Sequence, residues 1–280
     1  EEIAANLEAA AWDGDWYLRA FYDDGTPLGS HTSDECKIDS IAQSWSVISG
    51  AAKPERARKA VLSAKEHLVR PQEKLIRLLW PPFDKGFKNP GYIKSYPPGI
   101  RENGAQYTHA ATWLAWAFTE LGDGNTAESL FKILNPALKI IEPGELERYR
   151  AEPYVLTGDV YSTEPYAGMG GWSWYTGSSG WCWRLGVEAI LGLRVRGQYL
   201  ELAPCIPSHW PSFKATVKVE EATYEILVEN PTGHSHVSSI TLDGHQQSGK
   251  KVQLQKSSET HQIVVVLGPT NEDEPSLTSN

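Results

Sequence analysis

The stretch Gly170-Gly-Trp-Ser-Trp-Tyr-Thr-Gly-Ser-Ser-Gly-Trp-Cys-Trp-Arg184 decides how the rest of the chain is read. It holds four of the eleven tryptophans, Trp172, Trp174, Trp181 and Trp183, around the small-residue run Thr176-Gly-Ser-Ser-Gly180. Small residues let a ligand come close to the backbone. From Trp181 to Leu191 the apolar spacing predicts a buried helix, with Thr176 or Ser178 as its N-cap. Free N–H groups and the positive end of the helix dipole would face whatever precedes it. Two readings stay open on this stretch: a site for a sugar together with phosphate, or an aromatic seam between helices.

Working outward, the same unit occurs upstream. Ile38–Ser49 reads as a helix with Ile41, Trp45, Val47 and Ile48 apolar, closed by Gly50. Pro54–Leu68 follows, started by Pro54, with Ala57, Ala60, Val61, Ala64 and Leu68 on one face and charges on the other. Residues 78–99 form a loop rich in proline (81, 82, 90, 97 and 98, with Pro71 just upstream). A loop this long inside a domain is usually functional. It leads into Gln106–Leu121, an alanine-rich helix with Trp113 and Trp116, ended by Gly122-Asp-Gly124 and followed by a charged helix over Asn125–Leu134. Trp45, Trp113 and Trp181 thus recur at a spacing of about seventy residues, a repeat of architecture without sequence identity.

Inner and outer helices in alternation predict a mainly α chain, part of an α/α toroid over residues 1–197. From Gln198 the pattern changes to β-branched alternation with Asn-Pro and Asp-Gly turns, as in Lys214–Val219, Thr223–Val228 and Gln262–Leu267. A small C-terminal β-sandwich over 198–268 is expected, then a disordered acidic tail over 269–280. Glu1–Ala11 reads as the interior or end of a helix with no initiator Met, so a longer parent is expected.

A formal charge of −9 argues against general nucleic-acid or anionic-membrane binding. An anionic ligand then needs a local positive site. Cys36, Cys182 and Cys205 form neither a disulfide framework nor a metal motif, and buried reduced thiols are expected. His234, His236, His245 and His261 lack metal-ligand spacing and read as surface residues. No apolar run is long enough to span a membrane.

Five motifs in order carry a resemblance: Trp12-Asp-Gly-Asp-Trp-Tyr17, Cys36-Lys-Ile-Asp-Ser-Ile-Ala-Gln-Ser-Trp45, Pro98-Gly-Ile-Arg-Glu-Asn-Gly104 with Tyr107-Thr-His109, Glu152-Pro-Tyr-Val155 and Trp174-Tyr-Thr-Gly177. Over residues 1–268 the chain resembles glycoside hydrolase family 94, the family of cellobiose and chitobiose phosphorylases. Within it, the chain is most similar to the C-terminal phosphorylase-like region of cyclic β-1,2-glucan synthases. The resemblance implies a partial (α/α)6 barrel with a C-terminal β domain, and reversible, inverting phosphorolysis of β-glucosidic bonds giving α-glucose 1-phosphate. Inorganic phosphate would be co-substrate, with no cofactor or metal. The family's general-acid aspartate lies upstream of the residues matching Trp12, so this chain alone is expected to be inactive. It would supply phosphate-binding His109, Thr176 and Gly177 and acceptor-subsite Tyr96, Arg101 and Glu102. Tyr92 stands where cellobiose-specific members carry a carboxylate, which implies a different acceptor.

The chemistry suits those residues. Phosphate is already an anionic nucleophile, so the second carboxylate of inverting hydrolases gives way to an anion cradle. A histidine donates to phosphate oxygens and can carry charge near neutral pH, and a hydroxyl with backbone N–H groups adds donors. Tyrosine stacks on a sugar's C–H face, Arg101 bonds several hydroxyls, and Glu102 holds Arg101 or the loop. Asp34, Glu35, Asp39 and Gln43 either contact glucan or cap a helix. Two alternatives remain: a toroid glycoside hydrolase using Asp39, Glu102 or Asp159, and a non-catalytic glucan-binding module. The expected partners are a β-glucan oligosaccharide, phosphate, and either the missing barrel half or a second copy through the uncovered faces of Trp45, Trp113 and Leu191. By the same resemblance, the region is expected on the cytoplasmic side of an inner-membrane parent.

Overall fold

The computed structural model describes residues 2–174 and 176–269. Tyr175 and, after Pro269, the expected acidic tail lie outside the described residues. Seven α-helices are present among these residues: α1 (Glu2–Ala10), α2 (Ser40–Ile48), α3 (Pro54–Leu68), α4 (Thr108–Glu120), α5 (Gly124–Leu134), α6 (Glu145–Tyr149) and α7 (Ser178–Arg184). The chain divides into two units, one running to Leu121 and resuming over Ser129–Leu185, the other made of Gly122–Glu128 and the residues from Gly186.

In the first unit α3 buries Ala57, Ala60, Val61, Ala64 and Leu68, the set its periodicity predicts. Burying Val61 and Leu68 completely contributes roughly 1.5–3 kcal/mol each. α2 packs on both α3 and α4, and α4 packs on α7. The recurring tryptophans meet along this row. Trp45 lies edge-to-face on Trp113 with ring centroids 5.3 Å apart, and Trp113 on Trp181 at 5.5 Å. The aromatic seam therefore exists, although it does not extend to every tryptophan of the 170–184 stretch. Trp181 is half-buried but Trp183 is 61 % exposed, which corrects the expectation of a uniformly buried helix. Residues two apart on a helix point to nearly opposite sides, so both rings cannot face the seam.

Three of the polar residues at the start of α2 make structural hydrogen bonds. Asp39 is its N-cap, with Oδ1 accepting the Ile41 N–H at 2.8 Å, and it pairs with Arg19 at 3.3 Å. Burial pushes its carboxyl up, against the pull of Arg19. Buried Gln43 exchanges hydrogen bonds with the Tyr17 backbone, both at 2.8 Å. Glu35 Oε1 accepts the N–H groups of Asp84, Lys85 and Gly86, each at 2.8 Å, tying down the proline-rich loop. Burial raises the Glu35 carboxyl, but those three bonds outweigh it and hold the group below the usual range.

The second unit carries two sheets. Lys251–Gln253, Tyr199–Leu202 and Leu193–Arg196 form one, in that order. The other runs Ser212–Val219, Ala222–Glu229, Thr260–Gly268, His236–Leu242, His245–Gln246, antiparallel except for the parallel pairing of Ala222–Glu229 with Thr260–Gly268. Ala222, Tyr224, Ile226 and Val228 alternate inward. His261 joins this buried face rather than the surface, which corrects its reading as a surface residue. It is 8 % exposed, stacks on Tyr224 at 5.3 Å and bonds Asp243 and Ser257 at 2.8 and 2.9 Å. These partners satisfy its polar nitrogens, and that is what permits burial. All three cysteines are buried and none is in a disulfide.

Candidate functional site

α4 begins at Thr108, two residues later than its periodicity suggests. Gln106 and Tyr107 instead pair as a short strand with Val160 and Asp159, and the Thr108 N–H donates to Gly158 O at 2.9 Å. Tertiary pairing overrides local helix propensity here. The result places His109 in the first turn of α4, next to the pairing of Gln106–Tyr107 with Asp159–Val160.

The 176–178 turn arrives at the same place. The N-cap of α7 is Gly177, not Thr176 or Ser178. Thr176 contributes differently: its Oγ1 accepts the Ser178 N–H at 3.1 Å and lies 2.9 Å from Ser178 Oγ. A Cβ on Gly177 would stand 3.6 Å from His109 Cε1, and one on Gly158 would stand 3.7 Å from Thr176 Oγ1. His109, Thr176 and Gly177, 67 and 68 positions apart in sequence, are therefore neighbours.

The imidazole is wedged between Trp113 and Trp181, with centroids 4.6 and 5.8 Å away. Its Nε2 is buried and has no hydrogen-bond partner. A buried ring nitrogen left unpaired is uncommon and calls for an explanation. Burial holds the His109 pKa below its ordinary value, which favours the neutral ring.

The second group sits on the 92–107 loop. Asn103 holds it, with Nδ2 donating to Phe83 O and Tyr96 O at 2.8 Å each and Oδ1 accepting the Phe83 N–H at 2.7 Å. Gly99 has φ +79°, and a Cβ there would lie 2.3 Å from Thr163 Oγ1, so only glycine fits. Beyond it Arg101 takes φ +53°, and its guanidinium carbon lies 5.4 Å from the ring centroid of Trp172. Tyr96 meets Tyr92 edge-to-face at 6.2 Å. Glu102 Oε2 is buried without a partner. Burial first, and then the Glu102 charge, raise the phenols of Tyr92 and Tyr107. Tyr92, Tyr96, Arg101, Glu102 and Tyr107 thus form one polar and aromatic cluster.

One residue joins the segments. Asp159, 1 % exposed, accepts the Arg101 N–H through Oδ2 and the Trp172 N–H through Oδ1, both at 3.1 Å. A hydrolase built on Asp159 would need it as a catalytic carboxylate. Its oxygens are instead committed to holding two loops, and Asp39 is similarly committed to a cap and to Arg19. Ser178, which the sequence offers only as a helix cap, is buried with its Oγ beside Thr176 Oγ1.

Residues 1–192 match the model of the glycosyl hydrolase 94 superfamily, catalytic domain. The chain is 47 % identical over 251 residues to the cyclic beta-(1,2)-glucan synthase NdvB of Rhizobium meliloti (strain 1021), covering 88 % of this chain and 9 % of that protein. It is 34 % identical over 281 residues to the N,N'-diacetylchitobiose phosphorylase of Vibrio proteolyticus, covering 95 % and 34 %. With the solabiose phosphorylase of Paenibacillus borealis it shares 30 % identity over 265 residues, covering 94 % and 34 %. The chain spans between about a tenth and a third of the length of these relatives. On the match over most of its length, the chain belongs to the glycosyl hydrolase 94 superfamily.

Proposed function

We propose that this chain is the phosphate and acceptor side of a β-1,2-glucan-active phosphorylase, or of the matching region of a cyclic β-1,2-glucan synthase. In this reading residues 1–197 are the later part of an (α/α)6 barrel and residues 198–268 a β-sandwich. The observation that carries it is the unpaired, buried His109 Nε2 against the Thr176–Gly177 turn. Phosphate bound there accepts from the imidazole, from the Thr176 hydroxyl and from backbone N–H groups at the start of α7. One phosphate oxygen attacks the anomeric carbon of a β-glucosidic bond from the face opposite the leaving oxygen. That oxygen takes a proton from an aspartate supplied by a segment outside this sequence, and α-glucose 1-phosphate results. Tyr96, Arg101 and Glu102 hold the leaving sugar, and Glu102 Oε2 accepts a hydrogen bond from one of its hydroxyls.

The relatives that are named phosphorylases, and the glucan synthase at higher identity, support this choice of substrate class. The commitment of Asp39 and Asp159 to structural hydrogen bonds weighs against a hydrolase built on them. The test is product analysis on the parent enzyme with β-1,2-gluco-oligosaccharides. Glucose 1-phosphate should form only when phosphate is present, and His109→Ala should abolish it. Phosphate-independent release of reducing sugar that survives His109→Ala would overturn the proposal.

A further inference from the structure

The segment that brings Trp172 to Arg101 continues outward into a second aromatic surface that the chemistry above does not use. Trp172, Trp174 and Tyr154 are 51, 61 and 76 % exposed. Trp174 meets Tyr154 edge-to-face with centroids 6.4 Å apart. Its orientation is enforced: Nε1 donates to Glu152 Oε1 at 3.2 Å, and the neighbouring Ser173 Oγ donates to Glu152 Oε2 at 3.1 Å. Ser173 is also bridged to Thr157, next to the Thr176 turn. Trp174 takes φ +70°, a conformation that bulky side chains avoid and that persists only where surrounding structure imposes it. Gly171, Trp172, Ser173 and Trp174 line an open cleft of about 680 Å³.

An indole whose polar edge is tied to a carboxylate presents its apolar faces to water in a fixed orientation. Solvent exposure of several large rings together marks a binding surface. The surroundings select the ligand class. Around the rings lie the Glu152 carboxylate, the Ser173 hydroxyl, the Arg101 guanidinium and glycine backbone. That mixture suits a sugar, whose C–H face stacks on aromatic carbon while its equatorial hydroxyls need polar partners. Trp172 links this cleft to the proposed acceptor residues, because its ring lies against the Arg101 guanidinium.

We infer that Trp174, Tyr154 and Glu152 form an outer subsite for a glucosyl unit beyond the acceptor sugar, so that the region grips a β-glucan chain rather than a disaccharide. This inference rests on the function proposed above. Trp172 is the step between the two sites, and Glu152 is a positioning residue that keeps the Trp174 ring facing the cleft.

The test is calorimetry on the 280-residue chain with β-1,2-linked disaccharide and hexasaccharide. Wild type should prefer the hexasaccharide. Trp174→Ala should weaken hexasaccharide binding about threefold to tenfold, the range expected for one lost stacking face, and leave the disaccharide unchanged. Trp174→Phe should recover most of the loss. Trp183→Ala, an equally exposed ring outside the cleft, should alter neither ligand. The inference is overturned if Trp174→Ala affects both sugars equally, or neither. It is overturned as well if Trp183→Ala matches its effect. A hexasaccharide preference that persists while phosphate fails to bind near His109 would sink the phosphorylase reading and leave the outer subsite standing.

Discussion

Replacing Asp159 by Asn tests whether the two binding loops are held by one carboxylate. Both oxygens accept backbone N–H groups, from Arg101 and from Trp172. A hydrogen bond to a charged acceptor contributes about 1.5–3 kcal/mol when buried. Asn keeps one acceptor and turns an NH2 group toward the other N–H, so one bond is lost and two donors face each other. The expected destabilisation is about 2–3 kcal/mol, which for a chain of this size lowers Tm by several degrees. Asp159→Ala forfeits both bonds and should cost about 3–5 kcal/mol after relief of the buried charge. Urea unfolding measures the total, and amide exchange locates it. The Arg101 and Trp172 amides should lose protection in both variants while those of α3 keep theirs. If Asp159→Asn unfolds within about 0.5 kcal/mol of wild type, or the two amides exchange as before, the clamp does not exist. Gly171→Ala is an independent check. Its Cβ would press to 2.4 Å from Asp159 Oδ1, so it should loosen the same two amides.

Gly177→Ala should separate binding from stability. Gly177 has φ −72° and its Cβ would make ordinary contact with His109, so unfolding should change by less than about 1 kcal/mol. Phosphate affinity should fall about tenfold by calorimetry, from the obstruction of one charge-assisted bond; unchanged affinity contradicts the cradle. In α6's neighbourhood Lys139 is pushed down to about 7 by burial, and then by Lys74 and Arg148. The unfolded chain binds more protons between that value and 10.5, so wild-type stability should rise with pH across this window. Lys139→Met should flatten the rise by an amount on the order of 2–4 kcal/mol, and parallel curves would refute the burial argument. Leu7 and Trp45 are 44 and 36 % exposed and line an apolar cleft of about 260 Å³. The chain alone should self-associate by light scattering, and Trp45→Glu should reduce it. A monomer at all concentrations would count against an uncovered barrel face.

Much of the helical part was legible because its signals are local. The five buried positions of α3 follow from spacing alone, and Pro54 stands at its first turn. The recurrence of Trp45, Trp113 and Trp181 marked inner helices that do lie side by side. What escaped depends on contacts between distant residues. Asp159 looks like any loop carboxylate until Arg101, 58 positions away, donates to it. The start of α4 is set by a strand pairing with Asp159–Val160, which no helical periodicity encodes. His261 reads as a polar residue on an alternating strand, and its burial depends on Asp243 and Ser257 reaching both ring nitrogens. Trp183 failed for the opposite reason. Near-continuous apolar spacing from Trp181 to Leu191 reads as a buried helix, whereas helix geometry sends alternate rings to different sides.

The most direct measurement is the titration of the His109 imidazole, followed by NMR in the absence and presence of inorganic phosphate. Without phosphate, burial should hold its pKa below that of a free histidine. A phosphate dianion accepting from Nε2 favours the charged ring, so the pKa should rise by about one unit or more, and phosphate affinity should weaken as pH climbs through the raised value. Linkage requires both effects together. A His109 titration that phosphate leaves unmoved, while another histidine shifts or none does, contradicts the claim that this chain carries the phosphate site.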